Sequence, residues 1–210
     1  MRAIRCFSLF LLLAGTLAAS TVLRVNFAHL SQSAHHVVAG RVTSITADKD
    51  PATGYIFSKV TLSVSDAVPS SLVGREYSFR MIGGEMDGKR LYIADFPRFQ
   101  VDEKVVLFLN SQTANVFGPT IGLWQGVFFV DQDPATGAET VTDHKRRPII
   151  GVRDQQLLRG AAREKVSSTD LTIGGGATSS SPANALRTNE FFDQIRVHRA
   201  SPVAGVSPRR

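Results

Sequence analysis

Three histidines are the most obvious residues through which this sequence could bind a metal. His29, His35 and His36 lie close together, and neutral imidazole is a common metal ligand. His35 and His36 are adjacent, however, and neighbouring side chains on a helix point about 100° apart. The sequence contains no His-Glu-x-x-His motif, which would place two histidines on one helix face. We therefore interpret these residues as exposed histidines at a helix end, and predict no bound metal and no cofactor.

Closely spaced carboxylates could serve as the acid and base of glycoside hydrolysis. The pairs are Glu85 with Asp87 and Asp102 with Glu103. Both pairs lie in predicted turns, where charged side chains are normally solvated. The Gly-x-Ser-x-Gly motif of many serine hydrolases is absent. We predict no catalytic residue, and an exported hydrolase with an unrecognised site is the alternative function.

Large side chains on predicted strands and helices mark a candidate binding surface. A tryptophan within a strand either lines a ligand cleft or belongs to the core. Aromatic residues on a C-terminal helix either dock back on the sheet or contact a partner. The candidate residues are Trp124, Gln125, Tyr77, Phe79, Phe191 and Phe192.

The first 19 residues have the layout of a secretory signal peptide. Two arginines precede an apolar run at residues 6–14, and small residues follow as far as Ala18-Ala19. The run is shorter than the roughly 20 residues that span a bilayer. We expect cleavage near Ala18-Ala19 and a periplasmic or extracellular protein without a membrane segment. Cys6 is the sole cysteine, so the cleaved chain could form no disulfide and no thiolate metal site.

Charge and aromatic residues divide the 210-residue chain near residue 133. Residues 21–133 hold ten Lys/Arg, eleven Asp/Glu and 13 of the 17 aromatic residues. Residues 134–210 carry a net charge of +5 and two aromatic residues. Because aromatic side chains dominate core burial, we predict a β domain over 20–133 and a basic tail over 134–210. The overall charge of +6 therefore does not require nucleic acid, although polyanion or nucleic-acid binding through the tail is a further alternative.

Apolar residues recur at every second position in much of the predicted domain, which is typical of strands with one buried face. The run at 104–110 is continuously apolar and favours a strand buried on both faces. A short helix is predicted over 27–36. These elements favour an antiparallel OB-like barrel, with a small β-sandwich as the alternative. The predicted strands are 37–46, 55–68, 75–82, 89–94, 104–110 and one or two within 119–130.

A seven-residue pattern occurs twice, as DKDPATG at 48–54 and DQDPATG at 131–137. In an EF-hand the invariant glycine is the sixth residue and a glutamate closes the loop. Here glycine is the seventh residue and no such glutamate follows. Both copies are therefore predicted to be hairpin turns in which glycine adopts the left-handed conformation.

The tail contains two stretches with helical periodicity. Residues 154–165 have a thin apolar stripe, and residues 186–198 place phenylalanine and isoleucine on one side. Between them, residues 166–185 are rich in Ser, Thr and Gly and are predicted to be a linker.

Four motifs together resemble a family of exported bacterial proteins of unknown role. They are VVAGRV at 37–42, GGEMDG at 83–88, PRF with DEKVVLFL at 97–109, and GLWQGVFFV at 122–130. The resemblance covers about residues 27–131, and aspartate replaces glycine at Asp102. Members of this family are often associated with matrixin-like metalloproteases. The strand order is also similar to the netrin-like OB-fold of tissue inhibitors of metalloproteinases, whose N-terminal cysteine this chain would lack after cleavage.

The residues and the resemblance together predict a non-enzymatic exported module that acts by binding protein. The resemblance implies an accessory role to a secreted metalloprotease.

Overall fold

The computed structural model describes residues 24–94, 96–111, 118–133, 136–161 and 184–201. The predicted signal peptide and residues 166–183 of the predicted linker lie outside these ranges. The described chain is mainly β, with antiparallel sheets, as the alternating pattern predicted. Its helices are α1 (Phe27–Ser33) and α2 (Thr188–Ala200). Neither of these described helices is long and apolar enough to cross a membrane. The strands are β1 (His36–Lys49), β2 (Ile56–Val68), β3 (Glu76–Ile82), β4 (Gly84–Met86), β5 (Lys89–Leu91), β6 (Lys104–Leu109), β7 (Val127–Gln132), β8 (Glu139–Asp143), β9 (Ile149–Arg153) and β10 (Gln156–Arg159).

Six strands form one antiparallel sheet in the order β3-β2-β1-β6-β7-β8, and two separate hairpins, β4–β5 and β9–β10, accompany it. No pairing between described strands closes this sheet into the OB-like barrel that we predicted. The outer edge of β8 is occupied by later parts of the chain instead. The Val141 amide donates to the Leu186 carbonyl at 2.9 Å, and Thr142 forms an isolated bridge with Pro148. These contacts cover a strand edge that would otherwise expose unpaired backbone groups.

The long strand β1 is irregular at two points along its pairing with β2. The register shifts between Ala39 and Gly40 and again between Val42 and Ser44, and bulges of this kind bend a strand. At Gly40 an added Cβ would lie 2.5 Å from the Ser63 carbonyl oxygen. Only glycine therefore permits the close approach of the two backbones at this bend.

The bend folds the sheet over on itself. Tyr77 pairs with Leu62, which pairs with Val42, and His36 lies six residues further along β1. In a flat sheet, two strand spacings and six residues would separate Tyr77 from His36 by about 20 Å. Their ring centroids are instead 5.6 Å apart. The sheet therefore has a concave side, which we call the inner face, lined by Val60, Leu62, Phe79, Leu107 and Phe129.

The opposite side of the sheet, the helix-covered face, packs against α1 and α2. The Phe191 ring on α2 lies 5.4 Å from Phe27, 6.3 Å from Phe108 and 5.1 Å from Phe128. β6 contributes to both faces, since Phe108 belongs to this cluster and Leu107 to the inner one. This confirms the prediction of a strand buried on both sides.

The predicted N-terminal helix is present as α1. The Asn26 side chain accepts a hydrogen bond from the His29 amide at 2.7 Å, as an N-cap does. Phe27 and Leu30, three residues apart, are buried on the face that contacts the sheet.

Both copies of the repeated seven-residue pattern lie at turns between paired strands. The Asp50 carboxylate accepts from the Thr53 amide at 2.9 Å, and the Asp133 carboxylate accepts from the Thr136 amide at 3.0 Å. The glycines that end the two copies have φ of 71° and 68°. The predicted hairpin turns are therefore confirmed, although residues 134 and 135 lie outside the described ranges.

The helix predicted over 154–165 is wrong in its described part. Asp154 and Gln155 both have positive φ, 49° and 62°, and form the turn of the β9–β10 hairpin. Such turns usually contain Asn-Gly or Asp-Gly, so the Asp-Gln pair gave no recognisable signal. Leu157, which lies within the predicted helix, instead contacts the helix-covered core from the strand β10.

The described part of the predicted basic tail belongs to the fold. β8 continues the sheet beyond residue 133 by pairing with β7, and α2, close to the predicted 186–198 helix, buries Phe191, Phe192 and Ile195 completely. The low aromatic content of the tail was misleading because its few large side chains, Phe191, Phe192 and Ile195, are completely buried in the helix-covered core.

Truncation of Phe191 tests whether α2 is integral to the core. We expect Phe191→Ala to lower the free energy of unfolding by about 3 to 5 kcal/mol, because a buried ring is replaced by a cavity. Val197→Ala on the same helix, where the side chain is 59% exposed, should change it by less than about 0.5 kcal/mol. Urea denaturation measures both. Equal effects of the two substitutions would contradict the packing of α2 on the sheet.

Candidate functional site

A cavity of about 520 Å³ opens on the inner face of the sheet. Its volume lies within the range of pockets that hold small ligands or side chains. Apolar side chains from β1, β2, β3 and β7 form its floor, and residues 91–93 and 96–100 form one wall. The apolar lining includes Ile45, Val60, Met81, Phe96, Phe99 and Phe129, and the polar lining includes Arg98, Glu103, His144 and Arg146.

The position of the wall depends on a glycine pair after β3. Gly83 and Gly84 have φ of 104° and 139°. Residues other than glycine rarely adopt such positive φ angles. The Ser58 hydroxyl donates to the Gly83 carbonyl at 2.8 Å. A Cβ on Gly84 would lie 2.4 Å from the same hydroxyl oxygen. These glycines therefore direct the β4–β5 hairpin and the following wall across the edge of the cavity.

Arg146 forms the polar side of the cavity. Its guanidinium lies over the Phe129 ring, 3.7 Å from the centroid. It donates to Asp131 at 2.7 Å and to Glu103 at 2.5 Å. The Glu103 side chain is only 16% exposed, so this ion pair is partly shielded from solvent and stronger than a surface pair. Arg146 thus connects the start of β6, the strand β7 and the loop after β8.

The loop that carries His144 and Arg146 is fixed by a buried aspartate. Asp143 is 2% exposed and accepts from the backbone amides of Lys145 and Arg147 at 2.9 and 3.0 Å. The guanidinium of Arg147 donates to it at 2.7 Å, and that of Arg159 at 3.1 Å. A buried charge of this kind is tolerated because it is paired and hydrogen-bonded.

The pKa of Asp143 is lowered by this arrangement. Burial acts most strongly and in the opposite direction, since it raises the pKa of the carboxyl. The hydrogen bonds from the side chain and backbone of Arg147 and from the Lys145 backbone together outweigh burial. Asp143 therefore stays ionised at neutral pH and holds the loop in one conformation.

His144 lies between the cavity and Trp124. The two ring centroids are 4.0 Å apart, with an angle of 40° between the planes. Burial is the largest cause of the lowered pKa of His144, and the charges of Lys145 and Arg147 add to it against the opposing effect of Asp143. The imidazole is therefore neutral at pH 7 and can both donate and accept a hydrogen bond.

The residues predicted as a binding surface are distributed over both faces of the sheet. Trp124 and Gln125 lie in a short 3₁₀ helix, where the Gln125 side chain accepts from the Val25 amide at 2.8 Å. Phe79 packs against Phe99 of the cavity wall, with centroids 5.8 Å apart. Four of the six predicted residues are buried: Tyr77 and Phe79 on the inner face, and Phe191 and Phe192 in the helix-covered core.

The polar residues of the cavity were missed as a site. The sequence predicts Glu103 only as a solvated turn carboxylate, and Arg146 only as one residue of the basic tail over 134–210. They are 43 residues apart in the chain, and no local spacing indicates that they form a pair. Only the pairing of β6, β7 and β8 brings them together.

The histidines near the N-terminus do not converge on one point. The rings of His35 and His36 are 4.4 Å apart, and the His36 imidazole lies 3.5 Å from the Tyr77 hydroxyl. Across the described residues, no group of three or more His, Cys, Asp or Glu side chains could hold a metal ion.

No family model, no curated protein and no solved structure matches this chain. The family resemblance of the four sequence motifs therefore stays a prediction.

Replacement of Asp143 tests whether this carboxylate stabilises the loop that carries His144 and Arg146. We expect Asp143→Asn to lower the free energy of unfolding at pH 7 by about 3 kcal/mol, because two guanidinium groups lose their buried partner. Asp48→Asn is the control, since Asp48 pairs with Arg80 at the surface and such pairs contribute about 0 to 1 kcal/mol.

The difference in the free energy of unfolding between the wild type and Asp143→Asn should also depend on pH. The pKa of Asp143 is lower in the folded state than the value of about 3.9 expected when unfolded. The ionised Asp143 carboxylate therefore contributes its full stabilisation of the folded state above the unfolded pKa. This stabilisation is lost as pH falls through the folded pKa. Urea denaturation at several pH values should show a constant difference between wild type and Asp143→Asn from pH 5 to 7, and a shrinking one below about pH 4. A difference that did not change with acid would argue against an ionised Asp143.

Proposed function

We propose that this protein is an exported, non-enzymatic module that binds a segment of another protein in the cavity on its inner face. The observation that carries the proposal is the cavity itself, with its apolar floor and a polar side formed by Arg146 and Glu103. Protein recognition typically depends on a desolvated apolar pocket surrounded by polar groups.

Two exposed or half-exposed features extend the cavity toward a partner. Tyr92, on the wall, is 51% exposed, and tyrosine is enriched in protein interfaces because it combines apolar area with a polar group. The guanidinium of Arg146 makes two ion pairs and is preorganised over Phe129. A partner would therefore bind to a surface whose charged side chains need little reordering, which favours affinity.

The finer features of this proposal rest on the sequence. Export is supported by the signal-peptide layout of residues 1–19, and the accessory role to a secreted metalloprotease by the family resemblance. The OB-like architecture is supported by the long bent strand β1, which pairs with both β2 and β6.

Site-specific photo-crosslinking tests the proposal in the exported fraction of the native host. The photoreactive residue p-benzoylphenylalanine would replace Tyr92 at the cavity or Tyr55 in the β1–β2 turn. The two tyrosines are equally exposed, at 51%, but only Tyr92 lines the cavity. We expect a covalent adduct with a defined partner protein from position 92 and none from position 55.

The same experiment separates the two parts of the proposal. Ala47, a half-buried cavity residue, can be replaced by tryptophan to fill the cavity, and Ala47→Trp should abolish the adduct at position 92. An adduct that persists in this variant would contradict binding in the cavity. Mass spectrometry identifies the crosslinked partner and so tests the accessory role. A partner other than a secreted metalloprotease would contradict that role.

A further inference from the structure

Within the described residues, one charged group of the cavity differs from the others because it has no ionic partner. Glu85 pairs with Arg90 at 2.8 Å, and Glu103 pairs with Arg146. Arg98 makes no ion pair with any residue in the described ranges. Its guanidinium lies over the Tyr92 ring, 4.3 Å from the centroid, and both residues line the cavity. The wall therefore presents a positive charge that no carboxylate of the described residues neutralises.

The stacking on Tyr92 gives this charge a defined orientation. A guanidinium over an aromatic face keeps its edge available for hydrogen bonds. That edge is planar and carries paired N–H donors, which match the two oxygens of a carboxylate. Arg98 is thus arranged as a recognition group for an anion.

An apolar region lies directly beside this cation. Phe96 and Phe99 flank Arg98 in sequence and line the same cavity, and Phe99 is packed against Phe79. A ligand that satisfied Arg98 would therefore place its neighbouring atoms against aromatic and aliphatic side chains. Burial of a large apolar side chain there would favour binding, because it removes apolar surface from water.

We infer that the cavity recognises an acidic peptide segment, in which a bulky apolar side chain enters the cavity and an adjacent carboxylate pairs with Arg98. This inference rests on the proposed function and names the chemistry of the bound segment. A basic segment is disfavoured, because the cavity carboxylates Glu85 and Glu103 already have arginine partners that it would have to displace.

Selection from random peptides tests this inference without knowledge of the natural partner. Phage-displayed 12-residue peptides would be selected on the immobilised protein. Selected peptides should combine Asp or Glu with an adjacent Phe, Leu or Met. A fluorescein-labelled copy of the best peptide would then be titrated with the protein, and its dissociation constant measured by fluorescence anisotropy.

Two arginine variants separate the role of Arg98 from general electrostatic attraction. We expect Arg98→Gln to weaken binding of the acidic peptide about fivefold to tenfold. Arg153→Gln is the matched control, since Arg153 is exposed on β9 and does not line the cavity, and it should change binding less than twofold. Replacement of the peptide carboxylate by an amide should weaken binding to wild type by the same factor and to Arg98→Gln hardly at all, because the two groups interact directly.

The outcomes distinguish this inference from the proposed function. Equal weakening by Arg98→Gln and Arg153→Gln, or selection of peptides without acidic residues, would overturn the pairing with Arg98. In that case, loss of peptide binding in Ala47→Trp would still support the cavity as the binding site. Unchanged binding in Ala47→Trp, or failure to select any peptide, would overturn both.

Discussion

The strand β6 must be buried on both sides, and the rest of the structure depends on this constraint. Its residues from Val105 to Leu109 are all less than 2% exposed, so neither face of the central sheet can be left to solvent. The helix-covered face is closed by α1, α2 and the β9–β10 hairpin through a cluster of phenylalanines. The inner face is covered by the bend of the sheet and by the chain around Phe96 and Phe99. This second cover is incomplete, and the cavity is the space that it leaves.

Electrostatic pairing fixes the groups at the edge of that space. Asp143 is buried and compensated by two arginines, so the loop that follows β8 has a single favourable conformation. Arg146 in this loop is then placed over Phe129 and between two carboxylates. The polar side of the cavity is therefore a product of the same network that secures the edge strand. Arg98 is different, since among the described residues it is oriented by stacking on Tyr92 and by no ion pair.

The parts of the fold that local patterns specify were predictable from the sequence. The alternation in β2 and β3, the apolar run of β6 and the Asp–Thr–Gly turns each depend on neighbours a few residues apart. The β9–β10 hairpin was missed because Asp154-Gln155 is an uncommon turn pair. The candidate site was missed for a different reason: Glu103, Arg146 and Phe129 come from three strands or their ends, and only the register of the sheet joins them. The burial of Phe191 and Phe192 could not be predicted, because an aromatic residue in a helix gives the same pattern whether it binds a partner or fills the core.

The contact between α1 and α2 has a consequence for how the chain is made. Phe27 and Phe191 are 164 positions apart, yet their rings touch across the helix-covered face. A ribosome must synthesise the 164 positions that separate these two residues before this core can close, so the helix-covered face stays open until α2 has been made. Contacts so distant along the chain slow folding. A nascent or truncated chain would expose the apolar side of β6 and β7, a surface that molecular chaperones and proteases recognise in incomplete proteins.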